Sequence, residues 1–269
     1  MFEIFTWPFM LRAILIGLLL ASTTALLSNF LVVTNQALIG DGLAHISFTG
    51  IAIGLLFSNE PTIVAIPFAI IAAVIIKRLI RHNDVEGDTA IGLVASVSMA
   101  IGLIVISTSK GFNRSVESML VGSIFSTTYS DVIFALVIFL VAFVFILLSY
   151  QKLFSITYDS TYAKFSKINV AFYDYAIAII TAVVIVLGVQ TIGTLLISAF
   201  IIFPAVSSSL VSKSFKQLII YSIIINIAVT LIGIISAHYL EIPAGSTIII
   251  VHGILFSILF FIKSIKGRD

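Results

Sequence analysis

The chain has 269 residues, 60% of them hydrophobic and only 10% charged, with a mean hydropathy of +1.24. A soluble domain carries about a quarter charged residues, so this composition excludes one and requires an integral membrane protein. A net charge of +2 gives nucleic acid no electrostatic foothold, and the absence of cysteine removes disulfides and thiolate metal sites.

Met1–Met10 contains Glu3 and lacks a basic segment, which argues against a cleavable signal. A bilayer crossing needs about 20 apolar residues. On that measure span 1 covers roughly Phe9–Val33, with Arg12 near its start, and span 2 roughly Ala37–Phe57. Pro61 opens span 3, and Asp88 caps span 4, which runs to about Ile106. Ser118–Phe125 is apolar but too short to cross, so Gly111–Asp131 reads as an interfacial or re-entrant segment, with Glu117 and Ser126–Ser130 at the surface. Span 5 is roughly Val132–Ser149.

A polar stretch, Tyr150–Asn169, follows. Within it Asp159 or Ser160 can cap a short helix that ends near Ser166. Such a helix is either an interfacial connection or a docking element for a cytoplasmic partner. Val170–Val211 is then almost uncharged and, as one helix of about 63 Å, would be twice the bilayer core. It is expected to cross twice as spans 6 and 7, turning near Gly188–Gly193, with Asp174 opening span 6 and Pro204 kinking span 7. Spans 8 and 9 are roughly Leu218–Tyr239 and Gly245–Ile262.

The expectation is therefore an all-α polytopic bundle of eight or nine crossings forming one domain, 1–269; with eight, span 6 or 7 is a partial crossing. Nine crossings put Lys77, Arg78, Arg81, Lys152, Lys164, Lys167, Lys213, Lys216 and the C-terminal Lys263, Lys266 and Arg268 on one side. Arg12, Lys110 and Arg114 fall on the other. By the positive-inside rule the first side, with the C-terminus, is cytoplasmic.

Asp41 and His45 stand out in span 2. Their i, i+4 spacing places both on one helix face. A carboxylate in a membrane helix costs about 2.5–3.5 kcal/mol on insertion scales, so it needs protein, water or an ion to face. Carboxylate and imidazole together suit zinc and similar divalent cations. The alternatives are a helix-packing hydrogen bond or a pair at the headgroups. His238, Glu241 and His252 are expected at or near the outer ends of spans 8 and 9, where they could receive a metal. His82, Asp84, Glu86 and Asp88 read as a solvated cytoplasmic turn. Neither a P-loop nor a His-Glu-x-x-His helix is present, which argues against ATP binding or zinc proteolysis in this chain. Gly40-Asp41 and Tyr173-Asp174 are similar to the aspartates of membrane aspartyl proteases only in reversed order and without the second motif glycine.

The run Gly40-Asp-Gly-Leu-Ala-His-Ile-Ser-Phe-Thr-Gly50 resembles the Asp-x-x-Ser-His region of the permease subunits of zinc/manganese ABC importers. The similarity continues through Asp88-Thr-Ala-Ile-Gly92, Tyr158-Asp-Ser-Thr-Tyr-Ala163-Lys, Val189–Ala205 and Ile242-Pro-Ala-Gly-Ser-Thr-Ile248. Ala44 stands where the family has serine, Asn35-Gln36 where it has a basic pair, and Ser207–Ser209 where it has an Ala-Thr-Ala-like run. The resemblance implies a type II importer-like permease in a bacterial plasma membrane. Its metal contacts would be Asp41 and His45, and Asp159, Ala163 and Lys164 would lie on the helix that couples to the ATPase. Its partners would be a cytoplasmic ATP-binding subunit, an extracellular metal-binding protein, a second copy of the chain and membrane lipid. It implies no resident cofactor and no catalysis, only a transported divalent ion, zinc before manganese. A proton-coupled secondary carrier using Asp41 is the alternative reading.

Overall fold

The computed structural model describes residues 7–57, 61–82, 85–108 and 122–266. Ten helices account for nearly all of them: α1 (Pro8–Val33), α2 (Ile39–Phe57), α3 (Pro61–His82), α4 (Gly87–Thr108), α5 (Tyr129–Tyr158), α6 (Ser160–Phe165), α7 (Val170–Ile192), α8 (Thr194–Ser209), α9 (Phe215–Leu240) and α10 (Ala244–Lys266). Local chemistry fixes many of their ends. Prolines 8 and 61 occupy first-turn positions, where the missing N–H costs nothing. Thr128 and Asp131 form a reciprocal capping box at α5, and Asn169 and Ser214 cap α7 and α9 through their side chains.

Among the described residues eight helices are long and apolar enough to cross a membrane; α6 has only six residues, and α8 is apolar but shorter than the rest. The expected turn inside 170–211 falls at Gly193, whose φ of +89° breaks the run in two. The remaining 16 residues of α8 span about 24 Å, less than a full bilayer core. Eight helices thus reach full crossing length, and α8, the expected seventh span, is a shorter segment that still carries the chain from the end of α7 to the start of α9 at the opposite end. Helix α5 runs nine residues beyond its expected end at Ser149, because Gln151 and Lys152 project from an exposed face while Leu153 and Ile156 continue the buried one. The interfacial segment expected around Ser118–Phe125, with Glu117, lies mostly in 109–121, outside the described residues, which resume in a 3-10 turn at Ile124–Ser126.

Helices α1, α2, α7 and α8 form the interior, while α10, α4 and α5 are the most exposed of the long helices. Helix α8 packs against α1, α2, α9 and α10, and α2 packs between α3 and α4. End contacts establish the alternation. At one end Trp7 meets His238, and Thr62 donates to Gln190 at 2.7 Å. At the other, Phe215 meets Phe30 and Tyr158, and the Leu38 amide donates to Asp88 at 3.1 Å. Lys77, Lys152, Lys164 and Lys213 all belong to this second, basic end. Asp88, a first-turn residue of α4 rather than its cap, thus accepts the amide just before α2 and is not only a solvated turn residue.

Candidate functional site

Asp41 lies in the first turn of α2, where the helix dipole favours a carboxylate. His45 follows one turn deeper. Its Nε2 is 3.6 Å from Asp41 Oδ2, an ion-pair distance rather than a tight hydrogen bond. Neither side chain is sealed: 56% of Asp41 and 34% of His45 remain exposed. His45 Nδ1 is buried and has no hydrogen-bond partner among the described residues.

The pair opens into a groove of about 480 Å³ between α2 and α4. Gly42 is what lets the two helices close on each other at its floor, because a Cβ there would collide with the Ile91 side chain. The α4 wall presents Gly92, Ser96, Met99 and Leu103, spaced four, three and four apart on one helix face. That wall extends about 16 Å from near the basic end towards the opposite one. Sequence reading missed it, because Ser96 and Met99 are unremarkable singly; their spacing opposite Asp41 was the available signal. On its other side the Asp41 turn rests on α8. At Gly40 an added Cβ would lie 3.1 Å from Ser198 Cα and 3.0 Å from Ile201. Ala44, which replaces the family serine, is fully buried and offers the groove nothing polar.

The expected entrance set does not converge. His238 packs edge-on to Trp7 at 5.4 Å, and Glu241 is exposed at the left-handed C-cap of α9. His252 is not at a span end: it is the ninth residue of α10 and is fully buried. There its Nε2 is 3.0 Å from Asn226 Oδ1 and its ring stacks on Phe203. Among the described residues no three metal-ligating side chains cluster, so one chain offers a divalent ion only two ligands at the groove.

The short helix α6 forms where expected. Asp159 caps it, accepting the Thr161 and Tyr162 amides at 2.9 Å. Ala163 is its buried underside, packed with Ile156 and Val170. Lys164, Tyr162 and Phe165 face outward, Phe165 with 82% exposed. Asp174 is not a first-turn residue of α7, which starts at Val170 with Asn169 as its cap; it lies one turn further in, near the basic end. Arg12 lies over the Tyr129 ring at 5.1 Å. Asp84 and the His82 side chain fall outside the described residues.

The profile of the ABC 3 transport family matches residues 6–263. The chain belongs to this family. Its relatives include the manganese import system permease protein ScaB of Streptococcus gordonii, 26% identical over 94% of this chain and 91% of that protein. A Haemophilus influenzae protein named "Probable iron transport system membrane protein" is 27% identical over 98% of this chain and 94% of its own length. The structure "PsaBC from Streptococcus pneumoniae in complex with Fab" superposes with a TM-score of 0.84 at 25% identity, covering 98% of this chain and 96% of that one. As an ABC 3 member the chain is a multi-pass transport subunit of the permease type, and the all-α membrane bundle expected from composition is this family's fold.

Proposed function

We propose that this ABC 3 chain is the membrane-spanning permease of an ATP-driven importer that moves a divalent transition metal to the cytoplasm. The observation that carries the reading is the Asp41/His45 pair, left half-exposed on an open groove inside otherwise apolar helices. An acid and an imidazole in such surroundings are retained where an ion passes. Manganese and iron stand ahead of zinc in this reading, because the relatives named above carry those metals in their names. A carboxylate oxygen with one imidazole nitrogen suits both.

Two ligands per chain hold an ion weakly enough to release it. A second copy across a two-fold axis would bring another Asp41/His45 pair to the same groove. ATP is hydrolysed on a separate cytoplasmic subunit, and α6 is where force enters this chain. Its docking surface is the exposed row of Tyr162, Lys164 and Phe165, with Asp159 and Ala163 shaping the helix from beneath. The basic end faces the cytoplasm, in keeping with the positive-inside rule, and the extracellular binding protein delivers metal at the other.

The test is metal accumulation in cells carrying Asp41→Asn. Asparagine keeps the shape and removes the charge, so uptake of manganese or iron falls to background while the complex still co-purifies with its ATPase. Unchanged accumulation would take the groove out of the pathway. Failure to co-purify any ATPase would favour a secondary carrier instead.

A further inference from the structure

Pro204 lies within α8 and has no N–H, so the Phe200 carbonyl lacks its i+4 helical donor. Asn226 of α9 is placed at that gap. Its Nδ2 lies 3.4 Å from the Phe200 carbonyl, 2.8 Å from the Ala21 carbonyl of α1 and 3.3 Å from Thr24 Oγ1. Its Oδ1 meets His252 Nε2 of α10 at 3.0 Å. One turn earlier on α9, the Ser222 hydroxyl lies 3.1 Å from the Pro204 carbonyl and 2.7 Å from Ser208 Oγ. Both α9 side chains are fully buried. Four helices therefore meet at one carboxamide, at the point where α8 has lost a bond of its own.

The consequence lies one helical turn away. Ser198 and Ile201, flanking Phe200, carry the surface on which Gly40 rests, and Gly40 directly precedes Asp41. Held on one face by Asn226, α8 supports the Asp41 turn of α2 with the other.

We propose that Asn226 is a positioning residue for the Asp41/His45 pair: it fixes α8 at the Pro204 break, and α8 in turn fixes the start of α2. The inference rests on the metal-handling role given to that pair above, but its mechanical half does not. Nothing in it requires Asn226 or His252 to touch the ion. Asn226→Leu keeps the size and removes every bond. Pro204→Ala restores the backbone N–H and so gives Phe200 a helical partner without Asn226.

The chain has no native cysteine, so single cysteines for spin labels can be introduced cleanly at two exposed sites, Leu38 before α2 and Ser209 at the end of α8. In the full complex, Asn226→Leu broadens and shifts the Leu38–Ser209 distance distribution, and manganese uptake per assembled complex falls about tenfold. Adding Pro204→Ala returns both readouts towards the parent. His252→Phe, which retains the ring packing and frees only Oδ1, gives a smaller change in the same direction and remains informative if Asn226→Leu does not assemble. An unshifted distance in Asn226→Leu, or in His252→Phe where that one does not assemble, would overturn the proposal, as would a double variant no better than Asn226→Leu alone. A shifted distance with unchanged uptake, alongside an inactive Asp41→Asn, would leave the support in place but refute its effect on the pair. An active Asp41→Asn would instead refute the metal role of the pair.

Discussion

Two of the places where polar side chains enter the apolar helices of this protein are built oppositely. In the α2/α4 groove Asp41 and His45 are half-exposed and 3.6 Å apart; each histidine, this one and His252, leaves its Nδ1 without a partner among the described residues, so exposure is what separates them. Where α1, α8, α9 and α10 meet, Asn29, Ser222, Asn226 and His252 are fully buried and joined at 3.0–3.1 Å. The two histidines make the contrast sharpest. Each occurs in an apolar helix; His45 has an acid one turn before it, whereas nothing in the sequence around His252 says what it bonds. Polarity inside a membrane helix is thus half of a functional argument; the other half is access. A sealed group bonded across helices holds them together, whereas an open one is available to something that comes and goes.

The largest effect that separates the two regions should come from Gly42→Val. The added branch has no room beside Ile91, so α4 must move off α2 and the groove loses its floor. Overpacking of this kind costs about 1–3 kcal/mol, and uptake should vanish along with a lowered thermal midpoint in detergent. Retained uptake would mean that the α2/α4 spacing is irrelevant to transport. Asn29→Leu probes the sealed region and should do less. It leaves the Ser222 hydroxyl with its α8 and α9 partners, at a cost of about 1 kcal/mol. The amount of folded protein should drop and uptake per molecule should hold. A loss of uptake per molecule would mean that Asn29 as well as Asn226 positions the groove pair.

Most of the fold was legible because a bilayer imposes a length. Runs of about 20 apolar residues announced eight of the helices, and Pro61 and, of the two expected caps, Asp159 rather than Ser160 marked ends that the structure keeps. Helix α8 was harder, since hydropathy is as high there as in a full crossing and only Gly193 signals the break. At the groove, Asp41 and His45 were visible because their spacing is a property of a single helix. The partner of His252 was not: Asn226 is 26 residues away on another helix, and no periodicity relates them. For that reason His252 was expected at an outer entrance with His238 and Glu241, whereas it closes an internal bond.

The smallest effect is the most discriminating, and it pairs one substitution at two sites. At Gly233 of α9 an added methyl would press on the Ile248 backbone, with Cα at 2.9 Å, so Gly233→Ala should force α9 and α10 apart and lower the thermal midpoint. At Gly92, on the groove wall opposite Asp41, an added Cβ meets no described atom within 4 Å. Gly92→Ala should therefore gain up to about 1 kcal/mol of helix propensity and leave uptake within the scatter of the parent. The two measurements are thermal midpoints of the purified chain and metal uptake in cells. If Gly92→Ala instead keeps its midpoint as a single chain but loses uptake or dimer on sizing, the space beside Gly92 is filled in the assembly by a second copy. The groove would then be a shared wall rather than an open one, and the half-exposure of Asp41 would belong to the isolated chain alone.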